Sequence, residues 1–384
     1  MRDDPPDRTR LIRSATRRPD RRRPVNPPVE RGSTLLNVSA GQMRDAADGP
    51  VYGIEGLGVQ AALIEAVVEL ERGRRGWLTP SGLSAITVPL LALTRPGDEV
   101  LTTDAAYGPT RRFLTRWMAE RGVTCRFHPA SASTKEIIDM IGERTRVLLI
   151  ESPASLTFEI VDVPALAAAA RARNVRTVVD NTWAAGLAFK PLTHGADVSV
   201  QALTKYAGGH SDLMMGAVTV ADDQVAREIE RTIEDLGWFV SPDDAWLALR
   251  GLRTLPLRYT EHGRSALRIA EWLQARPEVD RVLYPPLHGS VGHDQWRRDF
   301  TGAPGLMGFV LTDPETDGDA FIDRLELFGL GYSWGGYESL ATHETGQLSW
   351  RLHPPALIGP LVRLHIGLED PDDLIADLQQ AFTG

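Results

Sequence analysis

Residues 176–206 of this 384-residue chain read RTVVDNTWAAGLAFKPLTHGADVSVQALTKY, and this stretch decides the fold. It contains two short apolar runs, at residues 177–180 and 198–203, and each run predicts a buried β-strand. The first run ends on Asp180 and the second leads directly to Lys205. Parallel strands end at the same edge of a sheet, which is where α/β proteins bind their ligands. We therefore expect the Asp180 carboxylate and the Lys205 amine to lie close together.

Strand-like apolar runs alternate with helical patterns over a much longer part of the chain. Further strands are predicted at residues 100–103 and 146–151, and helices at residues 58–72, 81–95, 111–121 and 163–173. This alternation is typical of βαβ units. The sequence therefore predicts an α/β fold with a mostly parallel sheet flanked by helices.

The pattern changes after Ala221 and predicts a smaller α+β domain. The predicted elements there are helices at residues 224–235, 244–276 (interrupted at Pro256), 319–328 and 372–382, and strands at residues 281–284, 306–311 and 361–366. We expect three parts: an N-terminal leader and arm over residues 1–55, a large domain over residues 56–240 and a smaller C-terminal domain over residues 241–384.

The composition excludes several classes of protein. The chain carries 42 Lys and Arg against 51 Asp and Glu, so its net charge is −9. Residues 1–32 are basic, because they hold ten Arg against five acidic residues, and they also contain several Pro, which predicts a flexible leader. The remaining residues, 33–384, are therefore acidic as a whole. The acidic remainder would repel nucleic acid. The chain has no run of 18 apolar residues for a transmembrane helix, and its single cysteine, Cys125, indicates a reducing cytosol.

Lysine is rare in this chain, since 39 of the 42 basic residues are Arg and only Lys135, Lys190 and Lys205 are Lys. Lys135 is expected at an exposed helix start and Lys190 in a surface loop. A lysine and an aspartate at neighbouring strand ends are what pyridoxal 5'-phosphate (PLP) requires, the amine for a Schiff base and the carboxylate for the pyridinium nitrogen. From the residues alone, a surface Lys205 and a turn-forming Asp180 remain as alternatives.

Two other cofactor classes have no support in the sequence. The histidines show no spacing typical of metal ligands. Residues 53–58, Gly-Ile-Glu-Gly-Leu-Gly, miss the spacing of the dinucleotide-binding fingerprint. We therefore expect neither a metal ion nor a nicotinamide cofactor.

Several longer motifs resemble a known family. They are residues 179–186 (VDNTWAAG), 197–206 (DVSVQALTKY), 209–212 (GHSD), 250–255 (RGLRTL), 298–302 (RDFTG), 332–339 (YSWGGYES) and 362–369 (VRLHIGLE). From about residue 50 to its C-terminus the chain resembles the Cys/Met-metabolism family of fold-type I PLP enzymes, and most of all the family's bacterial β-lyases. The resemblance implies the PLP-dependent transferase-like fold, with PLP as the cofactor and an amino acid as the substrate.

The resemblance also implies roles around the cofactor. Lys205 would form the Schiff base, then remove the Cα proton and reprotonate the leaving sulfur. Asp180 would pair with the pyridine nitrogen, and Tyr107 would stack its ring on the cofactor. The N–H groups of Gly82 and Leu83 at a helix start would bind the phosphate, together with the hydroxyl group of Thr204 just before the lysine.

Further roles concern the substrate. Arg363 matches the arginine that binds the substrate α-carboxylate in bidentate geometry. Ser333 and Trp334 would line the substrate pocket, and Trp334 favours the β-lyases because γ-acting members usually have Ser-Leu at this position. Tyr52 would reach into the active site of a neighbouring subunit. A homotetramer built from two dimers with shared sites is therefore expected.

One segment departs from the family pattern. Relatives carry Tyr-x-Arg, whose Arg holds the cofactor phosphate, whereas this chain has Ile54 at the Arg position and Glu55 beside it. Ala202 likewise stands where many relatives have a phosphate-binding Ser. A hydrogen bond to a charged group contributes about 1.5–3 kcal/mol. We therefore expect weaker PLP binding than in relatives that keep the Arg.

The expected function is that of a cytoplasmic PLP-dependent carbon–sulfur lyase. It would cleave L-cystathionine or another S-substituted cysteine by β-elimination to a thiol, pyruvate and ammonia. Ile54 and Glu55 leave two alternatives within the family, γ-elimination or γ-replacement and a specialised lyase of secondary metabolism. A PLP-binding regulator is a third alternative.

Overall fold

The computed structural model describes residues 6–14, 22, 24–44 and 49–383. The strands of its larger sheet are β1 Arg75–Thr79, β2 Glu99–Thr103, β3 Thr124–His128, β4 Thr145–Glu151, β5 Arg176–Asp180, β6 Val198–Ala202 and β7 Gly216–Val220. Their spatial order is β1-β7-β6-β5-β4-β2-β3. Strand β7 is antiparallel to both of its neighbours and every other pair is parallel, so the sheet is mostly parallel, as predicted.

Helices cover both faces of this sheet. They are α1 Asp7–Arg13, α2 Gly58–Glu71, α3 Gly82–Leu93, α4 Gly108–Arg112, α5 Thr134–Met140, α6 Val163–Arg171, α7 Asp223–Leu236 and α8 Pro242–Gln274. Strand β4 shows the resulting double burial. Its Val147 and Leu149 pack into the core formed with α3 and α7, whereas Leu148 and Ile150 pack into the core formed with α2, α6 and α8. A strand buried on both faces has the continuous apolar sequence that predicted it.

A second, five-stranded sheet follows in the C-terminal part. Its strands are β8 Val279–Leu283, β9 Leu306–Leu311, β10 Gly329–Leu330, β11 Leu340–His343 and β12 Leu361–His365. The accompanying helices are α9 His293–Asp299, α10 Gly318–Asp323, α11 Thr345–Leu348 and α12 Pro371–Thr383. The strand order is β10-β11-β12-β9-β8, and the pairs are antiparallel except β10 with β11. The predicted fold class is thus confirmed, while the domain bounds after residues 55 and 240 remain predictions.

Helix α8 corrects the predicted interruption at Pro256, because it runs through this proline without a break. A proline inside a helix removes one hydrogen bond and costs about 3 kcal/mol. Here the same buried face continues on both sides, with Leu252 and Leu255 before the proline and Tyr259 after it. Tertiary packing therefore outweighs the local preference. Within the described residues, neither α8 nor any other helix is long and apolar enough to span a membrane.

The sequence patterns do not predict strands β1, β3 and β7, and they place the start of the helix at residue 111 instead of Gly108. Strands β1 and β3 lie at the two edges of the sheet. Both are partly exposed and contain polar residues, so neither forms an apolar run. After α4 the chain continues as a π-helical turn, Phe113–Met118, and a 3-10 turn, Ala119–Arg121.

Helix α1 corrects the prediction of a flexible leader for residues 7–13. Leu11 is buried in the main core, and Arg253 on α8 donates a hydrogen bond to its carbonyl oxygen. Asp7 forms ion pairs with Arg72 at 2.9 Å and with Lys190 Nζ at 2.8 Å. Lys190 is therefore a partly buried structural residue that fixes the leader, and not the surface lysine that was predicted.

Candidate active site

Lys205 lies just beyond the carboxyl end of β6, after Ala202. Its Nζ donates a hydrogen bond to Ser333 Oγ at 2.6 Å and lies 5.2 Å from the centre of the Trp334 ring. The opposing backbone packs directly on the lysine. Gly335 has a φ of 90°, and a Cβ there would come within 2.8 Å of the carbonyl carbon of Lys205. Glycine at position 335 therefore allows Ser333 and Trp334 to approach the amine.

The electrostatic environment favours a neutral Lys205 amine. Its pKa is lowered from the ordinary value of 10.5 to about 8, first by burial and second by the positive charge of Arg363. The negative charge of Asp180 opposes this shift. An amine with a pKa near 8 is a competent nucleophile and base close to neutral pH, whereas an ordinary lysine is almost fully protonated there.

Asp180 ends β5, the strand beside β6, and lines the same cavity as Lys205. Its Oδ1 accepts hydrogen bonds from the backbone N–H of Thr182 at 3.0 Å and from the Thr182 hydroxyl at 2.5 Å. Burial raises the pKa of Asp180, although the Thr182 hydrogen bonds and the charge of Lys205 act in the opposite direction. A cation next to Asp180 would keep this carboxylate ionised.

Glu151 is a second carboxylate in this cavity, and the sequence reasoning missed it. It ends β4 directly opposite Asp180 in the strand register. Burial and the charge of Asp180 raise the pKa of Glu151, while a hydrogen bond from the Tyr107 N–H at 2.7 Å lowers it. The rule that selected Asp180, a polar residue at the end of a strand, would also have selected Glu151.

The amino terminus of α3 forms another wall of the cavity through Ser81, Gly82 and Leu83. Ser81 Oγ accepts the N–H of Ser84 and its carbonyl oxygen accepts the N–H of Ala85, but among the described residues the N–H groups of Gly82 and Leu83 have no hydrogen-bond acceptor. Free N–H groups at a helix start are a binding site for an anion such as phosphate. A Cβ on Gly82 would collide with the end of β6, so glycine lets the helix start approach the strand that leads to the lysine.

Thr204 also lines the cavity, but its hydroxyl group is bound to the backbone of Met215. The Thr204 Oγ1 donates to the Met215 carbonyl oxygen at 3.1 Å and accepts the Met215 N–H at 2.9 Å. The hydroxyl proton is therefore engaged within the protein. These bonds hold the turn before the lysine against β7.

Arg363, on β12, lines the cavity from the side of the C-terminal sheet and is largely buried. Its guanidinium lies 3.4 Å from Oε1 of Glu344, which has no exposed side-chain surface. Thr342 and Gln347 donate hydrogen bonds to Glu344 and fix its position. Burial lowers the pKa of Arg363 and Glu344 opposes this. Glu344 was not predicted from the sequence.

One cavity of about 560 Å³ is lined by Lys205, Asp180, Glu151, Gly82, Leu83, Thr204 and Arg363. Tyr107, Ser333 and Trp334 also line it, and Ser333 has an unusual backbone φ of 87°. Of the residues predicted for the site, only Tyr52 lies outside the cavity. Its relative exposure is 51%, and Ile54 nearby is also exposed.

The family model for "Cys/Met metabolism PLP-dependent enzyme" matches residues 8–383, nearly the whole chain. The chain belongs to this family. It is 43% identical over 368 residues to a cystathionine beta-lyase of Bordetella avium, covering 94% of this chain and 92% of the relative. It is 41% identical over 372 residues to a cystathionine beta-lyase of Escherichia coli K12, covering 94% and 93%. The crystal structure of metB from Corynebacterium glutamicum is similar with a TM-score of 0.92 and 30% identity, over 98% of this chain and 97% of that chain.

The cavity of this PLP-dependent family member fits its cofactor. A partly neutral lysine amine, an aspartate carboxylate and free helix N–H groups are the partners that the aldehyde, ring nitrogen and phosphate of PLP require. All three lie on the wall of one cavity. Among the described residues there is no cluster of three or more His, Cys, Asp or Glu that could hold a metal ion.

Proposed function

We propose that this PLP-dependent enzyme is a carbon–sulfur lyase that cleaves an S-substituted cysteine, such as L-cystathionine, by β-elimination. The products are a thiol, pyruvate and ammonia. The observation that carries the proposal is the convergence of the Lys205 amine, the Arg363 guanidinium and the Trp334 ring on one cavity. The relatives named cystathionine beta-lyase, at 41–43% identity over 94% of the chain, support the same reaction.

Lys205 is the proposed residue for proton transfer. When bound, PLP stabilises the negative charge that develops at the substrate Cα. The neutral Lys205 amine accepts the Cα proton and then donates it to the sulfur that leaves from Cβ. The hydrogen bond to Ser333 at 2.6 Å restricts the position of the Lys205 amine in the cavity. Its pKa of about 8 suits an amine that both accepts and donates a proton near neutral pH.

The other cavity residues hold the reacting groups in place. Arg363 binds the substrate α-carboxylate, and Glu344 orients the guanidinium from its buried side. Asp180 would hold the ring nitrogen of the cofactor, and the free N–H groups of Gly82 and Leu83 would bind its phosphate. Thr204, whose hydroxyl is bound to Met215, would hold the turn beside the phosphate. Tyr107 would cover the cofactor ring, and Glu151 fixes the Tyr107 backbone through its hydrogen bond. Trp334, beside the lysine, limits the width of the pocket.

The proposal includes a homotetramer in the cytoplasm, built from dimers with shared active sites. Tyr52 lies outside the cavity of its own chain and is half exposed, so its ring is available to a neighbouring subunit. In that arrangement Tyr52 contacts the substrate and takes part in catalysis in the neighbouring site. The exposed Ile54 would lie near the same cofactor phosphate.

Product analysis with L-cystathionine tests the proposed reaction. β-Elimination consumes one water and gives homocysteine, pyruvate and ammonia in equal amounts. Lys205→Ala should abolish product formation, whereas Lys135→Ala should not, because Lys135 is exposed, pairs with Asp139 and lies outside the cavity. A purified holoenzyme that forms no pyruvate from any cysteine thioether would refute the proposal.

A second candidate is γ-elimination, and the observation that favours it is the change at Ile54 and Glu55. That reaction would release cysteine, 2-oxobutyrate and ammonia from the same substrate. Measuring pyruvate and 2-oxobutyrate in one reaction mixture separates the two candidates. A predominance of 2-oxobutyrate would replace β-elimination by γ-elimination.

A further inference from the structure

A second cavity of about 340 Å³ adjoins the Lys205 cavity. The two cavities share Arg112, Ser155 and Leu156 in their walls. We call the second cavity the side chamber. A substrate whose reacting carbons lie near Lys205 could extend its sulfur substituent past these shared residues into the side chamber.

The wall of the side chamber is strongly basic. It contains Arg111, Arg112 and Arg351, and no Asp or Glu is among its lining residues in the described part of the chain. Arg111 donates to two backbone carbonyl oxygens, of Asp104 and Trp350, both at 2.6 Å. Arg351 donates to a backbone carbonyl oxygen at 2.7 Å and has buried carboxylates nearby, including that of Asp104.

Arg112 differs from these two arginines because its guanidinium has no hydrogen-bond or ion-pair partner in the described part of the chain. Within residues 6–14, 22, 24–44 and 49–383, no carboxylate forms an ion pair with Arg112 and no acceptor forms a hydrogen bond with it. It lies on the border between the two cavities and is exposed. Arg363, in contrast, is buried against Glu344. The two cavities thus contain Arg363, which is held by Glu344, and Arg112, which has no such partner among the described residues.

We propose that Arg112 binds an anionic group at the far end of the sulfur substituent. The inference rests on the proposed lyase function and names its substrate class, which is cysteine thioethers whose leaving thiol carries a carboxylate. Arg363 then binds the α-carboxylate of the substrate and Arg112 binds the distal carboxylate. The carboxylate of the leaving group selects the substrate, because the arginines of the side chamber repel a cationic tail and a neutral tail forms no ion pair with Arg112.

A pair of isosteric substrates tests this proposal on the holoenzyme. S-(2-carboxyethyl)-L-cysteine and its carboxamide, S-(2-carbamoylethyl)-L-cysteine, differ only in the distal charge. A charged hydrogen bond predicts that kcat/KM is about ten- to hundredfold higher for the carboxylate. Arg112→Gln should remove this preference by lowering kcat/KM for the carboxylate toward the value for the carboxamide. Arg116→Gln, one turn later and outside both cavities, should keep it.

Two further measurements distinguish substrate binding by Arg112 from cofactor binding by the same residue. Arg112→Glu should reverse the preference toward S-(2-aminoethyl)-L-cysteine. The dissociation constant of the PLP cofactor should be the same in Arg112→Gln and the wild type. A several-fold weaker PLP binding in this variant would mean that Arg112 serves the phosphate, and the proposal would be overturned.

A binding experiment separates this inference from the lyase proposal. L-2-Aminopimelate and its ω-amide have carbon in place of sulfur, so neither can undergo elimination, and calorimetry gives their dissociation constants with the holoenzyme. Tighter binding of the carboxylate that is lost in Arg112→Gln supports the role of Arg112 even if no thioether is cleaved. Equal binding of the two ligands by the wild type overturns it even if pyruvate is formed.

Discussion

Replacing Arg363 by Gln should raise the pKa of Lys205 in the cofactor-free protein. The pKa of this amine is lowered from 10.5 to about 8, and the charge of Arg363 is the second cause after burial. The whole difference corresponds to about 3 kcal/mol in favour of the neutral amine. Because burial remains in the variant, we expect a pKa between 8 and 10.5. Asp180→Asn should have the opposite effect, since the aspartate charge raises the pKa of the lysine.

The small number of lysines makes this measurement direct. Reductive methylation with ¹³C-formaldehyde labels the three lysines, Lys135, Lys190 and Lys205, and the α-amino group, and their NMR signals are then followed against pH. Lys205→Arg assigns the signal of Lys205. Exposed Lys135 serves as the internal reference. Its hydrogen bond with Asp139 raises its pKa, so its signal should titrate at higher pH than the signal of Lys205. A Lys205 signal that titrates near 10.5 in the wild type would refute the electrostatic reasoning. The same pKa change for Lys205 in Arg363→Gln and in Asp180→Asn would also refute it.

The same shift makes the stability of the cofactor-free protein depend on pH. The folded-state pKa of Lys205 is lower than the unfolded-state value, so the unfolded chain binds more protons between pH 8 and 10.5. The contribution of Lys205 to the free energy of unfolding therefore increases as the pH rises through this range. Lys205→Met should remove that contribution and stabilise the cofactor-free protein at pH 7 by up to about 3 kcal/mol. Urea unfolding at several pH values measures both effects.

Three further substitutions test separate parts of the site. Ile54→Arg should lower the dissociation constant of PLP by about tenfold or more, because it supplies a charged partner for the phosphate. Equilibrium dialysis measures this constant. An unchanged value would show that residue 54 does not lie at the phosphate site. Gly335→Ala should weaken PLP binding and lower the melting temperature, since its Cβ would lie 2.6 Å from a backbone nitrogen, whereas Gly346→Ala, in open space, should change neither. Glu344→Gln should reduce the free energy of unfolding in urea by about 3–5 kcal/mol, because it leaves a buried arginine without its carboxylate; a loss below 1 kcal/mol would contradict the pairing.

The sequence was informative wherever a local pattern and a structural rule coincide. The two apolar runs around Asp180 and Lys205 predict adjacent strands, and parallel strands place their ends at one edge. Glu151 obeys the same rule and could have been found by applying it to the preceding strand. Trp334 and Arg363 were identified by family motifs and not by their local properties, since the chain contains nine Trp and 39 Arg.

Other features depend on contacts between distant parts of the chain. Helix α1 has the composition of a flexible leader, but it is held by Lys190 and Arg253, which lie far away in sequence. Pro256 is a helix breaker by local rules and is overruled by a buried face. Glu344 and Arg112 become functional candidates only through their positions next to Arg363 and between two cavities. No spacing in the sequence indicates these contacts.

The assignment of the cofactor to Lys205 is the central claim, and a peptide map tests it most directly. Borohydride reduction of the holoenzyme fixes PLP to the amine that carries it, and mass spectrometry of the digested protein then locates the added phosphopyridoxyl group. The structure predicts a single modified peptide that contains Lys205, because this amine alone among the three lysines lines the cavity with Asp180 and Arg363. Modification at Lys135 or Lys190 in place of Lys205, or no modification of any lysine, would contradict the account.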